Sequence, residues 1–185
     1  MRVKNRWQKG KGPKSLEDLA KALGFIAWQI SANAVLSLEN NDYETESNPQ
    51  RLDIIEEFVC FLIQCADRLA HDKFSDQDRH TLITALANKI IQTLHENRLE
   101  IQGEGEYQAP FIHKLNQRLS DFSECQFENG TPGYSLYRAF GNFVQPVMGP
   151  HNNRWVPDQI QDIEGPEAFK TFKTSMQNLL KGSLF

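Results

Sequence analysis

Cysteine is scarce in this chain. Its 185 residues hold three, Cys60, Cys65 and Cys125, an odd number with no Cys-x-x-Cys pair and no companion at zinc spacing. That excludes a disulfide scaffold and a structural zinc site, and a reduced, cytoplasmic protein is the expectation. Cys60 and Cys65 fall in an apolar run, where a thiol is ordinarily a small buried hydrophobe. Glycine (11) and proline (8) are not enriched, so collagen-like and low-complexity chains are excluded too. An apolar run of membrane length is also missing. Ala22 to Leu38 is uncharged, but it is short for a span and carries Gln29, Ser31, Asn33 and Ser37. The same stretch follows basic residues as a signal peptide would, yet Glu17 and Asp18 interrupt the leader. No secretion and no membrane contact are expected.

Catalytic signatures are absent as well. There is no Gly-x-Ser-x-Gly, no Walker loop and no Gly-x-Gly-x-x-Gly, and Gly103-Glu-Gly105 sits among acids that would repel phosphate. The five histidines (71, 80, 95, 113, 151) include no pair four residues apart. Asp42, Glu44, Glu46, Asn48 and Asp53 mimic calcium-loop spacing, but Ser47 stands where such a loop needs glycine, and Pro49 intrudes. That segment reads as a solvated linker.

What is present is helical spacing. Length favours one domain, and a 39% apolar fraction can fill a core without staples. No run alternates with period two for long enough to suggest a sheet. Ser15 with Asp18, and Ser75 with Asp78, are capping arrangements that predict helices reaching about Leu38 and Leu99. Between them Asn48 is placed to cap and Pro49 to begin a helix running to about His71. Further helices are predicted over about 110–125, 134–147 and 166–181, with a turn at Gly130-Thr-Pro-Gly133 and a loop from Gly149 to Pro157. The fold class is therefore all-α: a single-domain helical bundle of about six helices over residues 15–185. The second helix holds Phe58-Val-Cys-Phe-Leu-Ile63, apolar at consecutive positions, and so is expected to be central and nearly fully buried.

Three groups of residues could carry function. On the second helix, Asp53, Glu56, Glu57, Gln64, Asp67, Arg68 and His71 fall within one third of the helical circumference. A single polar stripe on an otherwise apolar helix reads as its solvent face. The alternatives are a polar groove shared with another helix, or a bundle-core metal site using Glu56, Glu57, Asp67 and His71.

The second group is the amino terminus, residues 1–14, a basic arm. Arg2, Lys4, Arg6, Lys9, Lys11 and Lys14 surround Trp7 without a single acid, which leaves 14 basic against 24 acidic residues in the remainder. Such an arm could neutralise phosphates, with Trp7 stacking on a base. The body's formal charge of −10 opposes that and favours a plain tail or self-docking.

The third is aromatic. Tyr134, Tyr137, Phe140 and Phe143 recur every three residues around Arg138, and Arg154-Trp155 follows in a loop. Rings at that spacing fan around a helix, so some pack inward and others reach a rim or groove suited to a partner. Gly141 would let another element approach closely.

The sequence thus leads to a non-catalytic binding, adaptor or regulatory protein. It requires no cofactor and engages a protein partner or a second copy through Tyr134, Tyr137, Arg138, Arg154 and Trp155. A metal-dependent enzyme built on the carboxylate stripe and a nucleic-acid binder using the arm are the rivals.

Overall fold

The computed structural model describes residues 15–150 and 154–183. Helices α1 (Leu16–Asn40), α2 (Asn48–Ala70), α3 (Asp76–Gln102), α4 (Gln108–Ser123) and α5 (Tyr134–Val147) are followed by the short α6 (Val156–Gln159), a π-helical turn (Ile160–Glu164) and α7 (Gly165–Ser183). The long helices pack on one another as an all-α bundle, and the described sheet is a two-residue pairing of β1 (Phe127–Glu128) with β2 (Thr131–Pro132). Its connecting residues Asn129 and Gly130 have φ of 53° and 68°, as the twist of a tight hairpin requires.

Local chemistry sets the ends of the helices. Ser15 and Ser75 accept hydrogen bonds from the Asp18 and Asp78 amides, each at 3.1 Å, as the capping pattern predicts. The start of α2 differs by one residue. Ser47 rather than Asn48 is the cap, accepting from the Gln50 amide at 3.3 Å, and Pro49 sits inside the first turn, where no amide is needed. The segment expected to be a loop up to Pro157 is already helical from Val156, because prolines are tolerated in a first helical turn.

Packing is organised around α2. It touches α1, α3, α4, α5 and α7, and those five also touch one another in that order, closing a ring around it. Every residue from Ile54 to Ala66 is buried. Phe61 stacks on Phe140 of α5 at a centroid distance of 4.4 Å, and Phe58 meets the same ring edge-on at 4.8 Å. Although α1 is long and apolar enough by composition to cross a membrane, most of its apolar residues are packed within this fold, Leu36 being exposed.

Close approach occurs where side chains vanish. A Cβ on Gly141 would lie 2.7 Å from the Pro157 carbonyl oxygen and 2.9 Å from its Cα, so α5 and α6 meet backbone to backbone there. Gly165 is similar. Its amide donates to the Ile160 carbonyl five residues back, closing the π turn, and a Cβ there would lie 2.7 Å from that oxygen. Pro166 contributes no amide to restore an α-helical ladder.

Candidate functional site

The polar stripe of α2 is not a plain solvent face, although Asp53, Asp67 and Arg68 are only half-buried and His71 is exposed. Glu56, Glu57 and Gln64 are buried, Glu57 to 2% exposure, and the stripe lies under α3 and α4. What the helical wheel could not show is that those helices return cations to it. Arg98 of α3 donates to Asp53 at 2.5 Å and to Glu56 at 2.6 Å. Lys114 of α4 donates to Glu56 and lies 3.8 Å from Glu57. Arg118, one turn on, grips Glu57 with two bonds of 2.7 and 3.0 Å while its guanidinium stacks on the Phe143 ring, 3.8 Å from the centroid. Acid and base alternate along the seam: Asp53, Arg98, Glu56, Lys114, Glu57, Arg118.

Burial by itself would lower the Arg98 and Arg118 guanidinium pKa values. The hydrogen bonds that the first donates to Asp53 and Glu56, and the second to Glu57, outweigh it and hold both groups above their ordinary value. Burial, and then the Glu57 charge, push the Cys60 thiol well up, which keeps it protonated and unreactive.

Chemically this seam is occupied by its own counter-ions. The remaining residues considered for a metal site lie elsewhere. Asp67 faces Arg79 at 3.6 Å, and His71 is exposed and bonded to Asp72 at 3.0 Å. Among the described residues no group of three or more His, Cys, Asp or Glu side chains is placed to hold a metal ion.

The aromatic residues divide as their spacing predicts. Phe140 is fully buried, and Tyr137 turns inward beside Phe61 at a centroid distance of 5.9 Å. Burial raises the Tyr137 hydroxyl well above the ordinary phenol range. Tyr134 (68% exposed) and Trp155 (59% exposed) point outward. Arg138 shares a helix face with Tyr134, one turn away, and pairs with Asp158 at 3.3 Å. Asp158 in turn lies one turn beyond Arg154 and Trp155, whose own contact is a guanidinium 4.9 Å from the indole centroid. Four of the five residues expected to form a groove are thus exposed, with the Arg138–Asp158 pair joining α5 to α6, while Tyr137 packs against the core. The basic arm, Arg2, Lys4, Arg6, Trp7, Lys9, Lys11 and Lys14, lies outside the described residues.

A third feature had no counterpart in the sequence reading. Between α1 and the start of α7 lies a cleft of about 140 Å³. Ile30, Ala34 and Ala168 give it an apolar floor, and Ser37 and Glu164 line it deeper than the exposed Asn33, Glu167 and Thr171. Glu164, the last residue of the π turn, is 2% exposed. Its Oε1 accepts from Ser37 Oγ at 2.9 Å and Gln159 Nε2 at 3.1 Å. Unlike Glu56 and Glu57, it has no cation within ion-pair distance among the described residues.

Burial raises the Glu164 carboxyl above the usual glutamate range, against the lowering effect of those two bonds. Its folded-state pKa therefore exceeds its unfolded one, and the folded form binds the proton more tightly. The favourable contribution is complete below the unfolded value, about 4.3 for glutamate, and is lost as pH rises through the raised folded one. Glu164→Gln removes that loss, so its urea midpoint should gain on wild type as the pH is taken from 4 to 7. A difference independent of pH would show that Glu164 titrates as it does in the unfolded chain.

Compared with known families, characterised proteins and solved structures, the chain matches none.

Proposed function

We propose that this protein is a non-catalytic, cytoplasmic binding module whose contact surface is the strip of Tyr134, Arg138, Arg154 and Trp155. The observation that carries the reading is the exposure of Trp155 and Tyr134, two large aromatic side chains held outward beside arginines. Tyr, Trp and Arg give large contact area with a polar tip and dominate the centres of protein interfaces. The strip is also well mounted. Tyr43 of the α1–α2 connection donates its hydroxyl to the Trp155 carbonyl at 3.5 Å, and the Gly141–Pro157 approach fixes α6 against α5. An interface on such a support loses little entropy when it binds. The self-neutralised carboxylate seam is a further reason to prefer binding over catalysis.

Sedimentation of the purified protein over a broad concentration range tests the self-association form of this proposal. Trp155→Ala and Tyr134→Ala should each weaken association by about tenfold or more, as hot-spot truncation does, with the urea midpoint moving by no more than an exposed substitution allows. Association untouched by both substitutions would remove the strip from the interface.

A further inference from the structure

None of the residues lining the cleft between α1 and α7 is a cation, and the exposed Lys170 precedes Thr171 at its rim. From Ala22 to Gln50 there is no Lys, Arg or His, and from Trp155 to Phe169 there are four acids and no base. Glu164 lies at the deep end of the cleft and Glu167 at its rim, one turn apart on the same helix and so on the same side. The charge of Glu167 adds to that of Glu164 instead of cancelling it. Both hydrogen bonds to Glu164 end on Oε1, and none of the described residues donates to Oε2. Buried carboxylates in folded proteins are normally paired, and elsewhere in this molecule they are, along the seam of α2. Here no cation of the described residues pairs with the carboxylate, and Glu164 lines an open space.

The shape of that space narrows the ligand. Engineered cavities of about 150 Å³ take up benzene, so the cleft admits an organic molecule of about six non-hydrogen atoms. A hydrated inorganic cation would make no use of the floor of Ile30, Ala34 and Ala168. An alkyl chain would.

We propose that this cleft is a binding site for a small aliphatic amine. Its ammonium donates to Glu164 Oε2, its methylenes lie along Ile30, Ala34 and Ala168, and in a linear diamine the second ammonium reaches Glu167 at the rim. Ser37 and Gln159 hold the Glu164 carboxylate in place by occupying its other oxygen. The site is separate from the aromatic strip and does not depend on the function proposed for it.

The experiment is a titration of the full chain with 1,4-diaminobutane at constant ionic strength. It is followed by calorimetry and by the amide resonances of Asn33, Ser37 and Thr171. One saturable site is expected, with shifts centred on those residues. Glu164→Gln keeps an acceptor for Ser37 and Gln159 and should weaken the diamine at least about tenfold, the value of one charge-assisted hydrogen bond. Glu167→Gln, at an exposed position, should weaken the diamine and leave n-butylamine unchanged, which keeps the test decisive if the Glu164 variant folds poorly. Lack of saturation, equal binding of the neutral 1,4-butanediol, or calcium saturating the same resonances when the amine does not, would each overturn the proposal.

Discussion

Replacing Arg118 with alanine should cost about 3–5 kcal/mol of unfolding free energy, the penalty for stranding a buried charge by removing its partner. The partner left behind is Glu57, 2% exposed and then facing only Lys114, 3.8 Å away. A typical domain has about 5–15 kcal/mol in total, so the variant would be marginal. Urea denaturation gives the number. Pairing the change with Glu57→Leu is the informative control. Removing both charges leaves no unpaired group, and apolar replacements of buried ion pairs are often neutral or stabilising, so Glu57→Leu with Arg118→Met should recover most of the loss. A cost for Arg118→Ala below about 1 kcal/mol would mean that the pair behaves like a surface one and that the seam is wetter than its geometry implies.

Phe140→Ala is the second large effect, at about 3–5 kcal/mol for an aromatic truncated in a packed core. Phe140 is where α5 meets α2, touching Phe61 face to face and Phe58 edge-on. Its removal empties the joint from both sides, because neither phenylalanine can move without leaving its own fully buried site. Phe140→Leu keeps much of the volume and should cost clearly less. Equal costs for the two would point to the ring contacts, rather than to volume, as what matters at that joint. Tyr134→Ala, on the same helix but exposed, should fall within about 0.5 kcal/mol of wild type.

Helices and their ends were legible because their causes are local. Serine caps, a proline in a first turn and apolar spacing act within a few residues, and Ser15, Ser75 and the run around Phe58 carry those signals plainly. The facing of the α2 stripe was not, since a carboxylate covered by arginine has the same pattern as one covered by water. The missing information lay on the partner helices. Arg98 continues the four-residue spacing of Leu86, Ile90 and Leu94 on α3, and Arg118 sits at the edge of the inward arc that holds Phe111, Leu115 and Phe122 on α4. A cation inside an apolar stripe is the mark of a buried acid opposite, and two helices carried it.

The π turn and the cleft beside it were beyond reach for another reason. Pro157 and Pro166 read singly as a loop end and a helix start. Only the Gly165 amide reaching the Ile160 carbonyl turns them into one continuous helix with an inward glutamate. The exposed aromatic residues were intermediate. Their fan followed from spacing, but which of Tyr134 and Tyr137 faced out depended on where α6 and α7 pack.

The enclosure of α2 also bears on how the chain is made. Its most apolar segment, Phe58 to Ile63, belongs to the second helix, whereas the last wall of the ring is α7, about a hundred residues later. At a synthesis rate of about 5–20 residues per second, that segment stays without its full cover for about 5–20 seconds. During that interval the nascent chain presents the sticky surface that holdase chaperones recognise. Translation speed between Ile63 and Gly165 is thus a variable to which the yield of folded protein should respond.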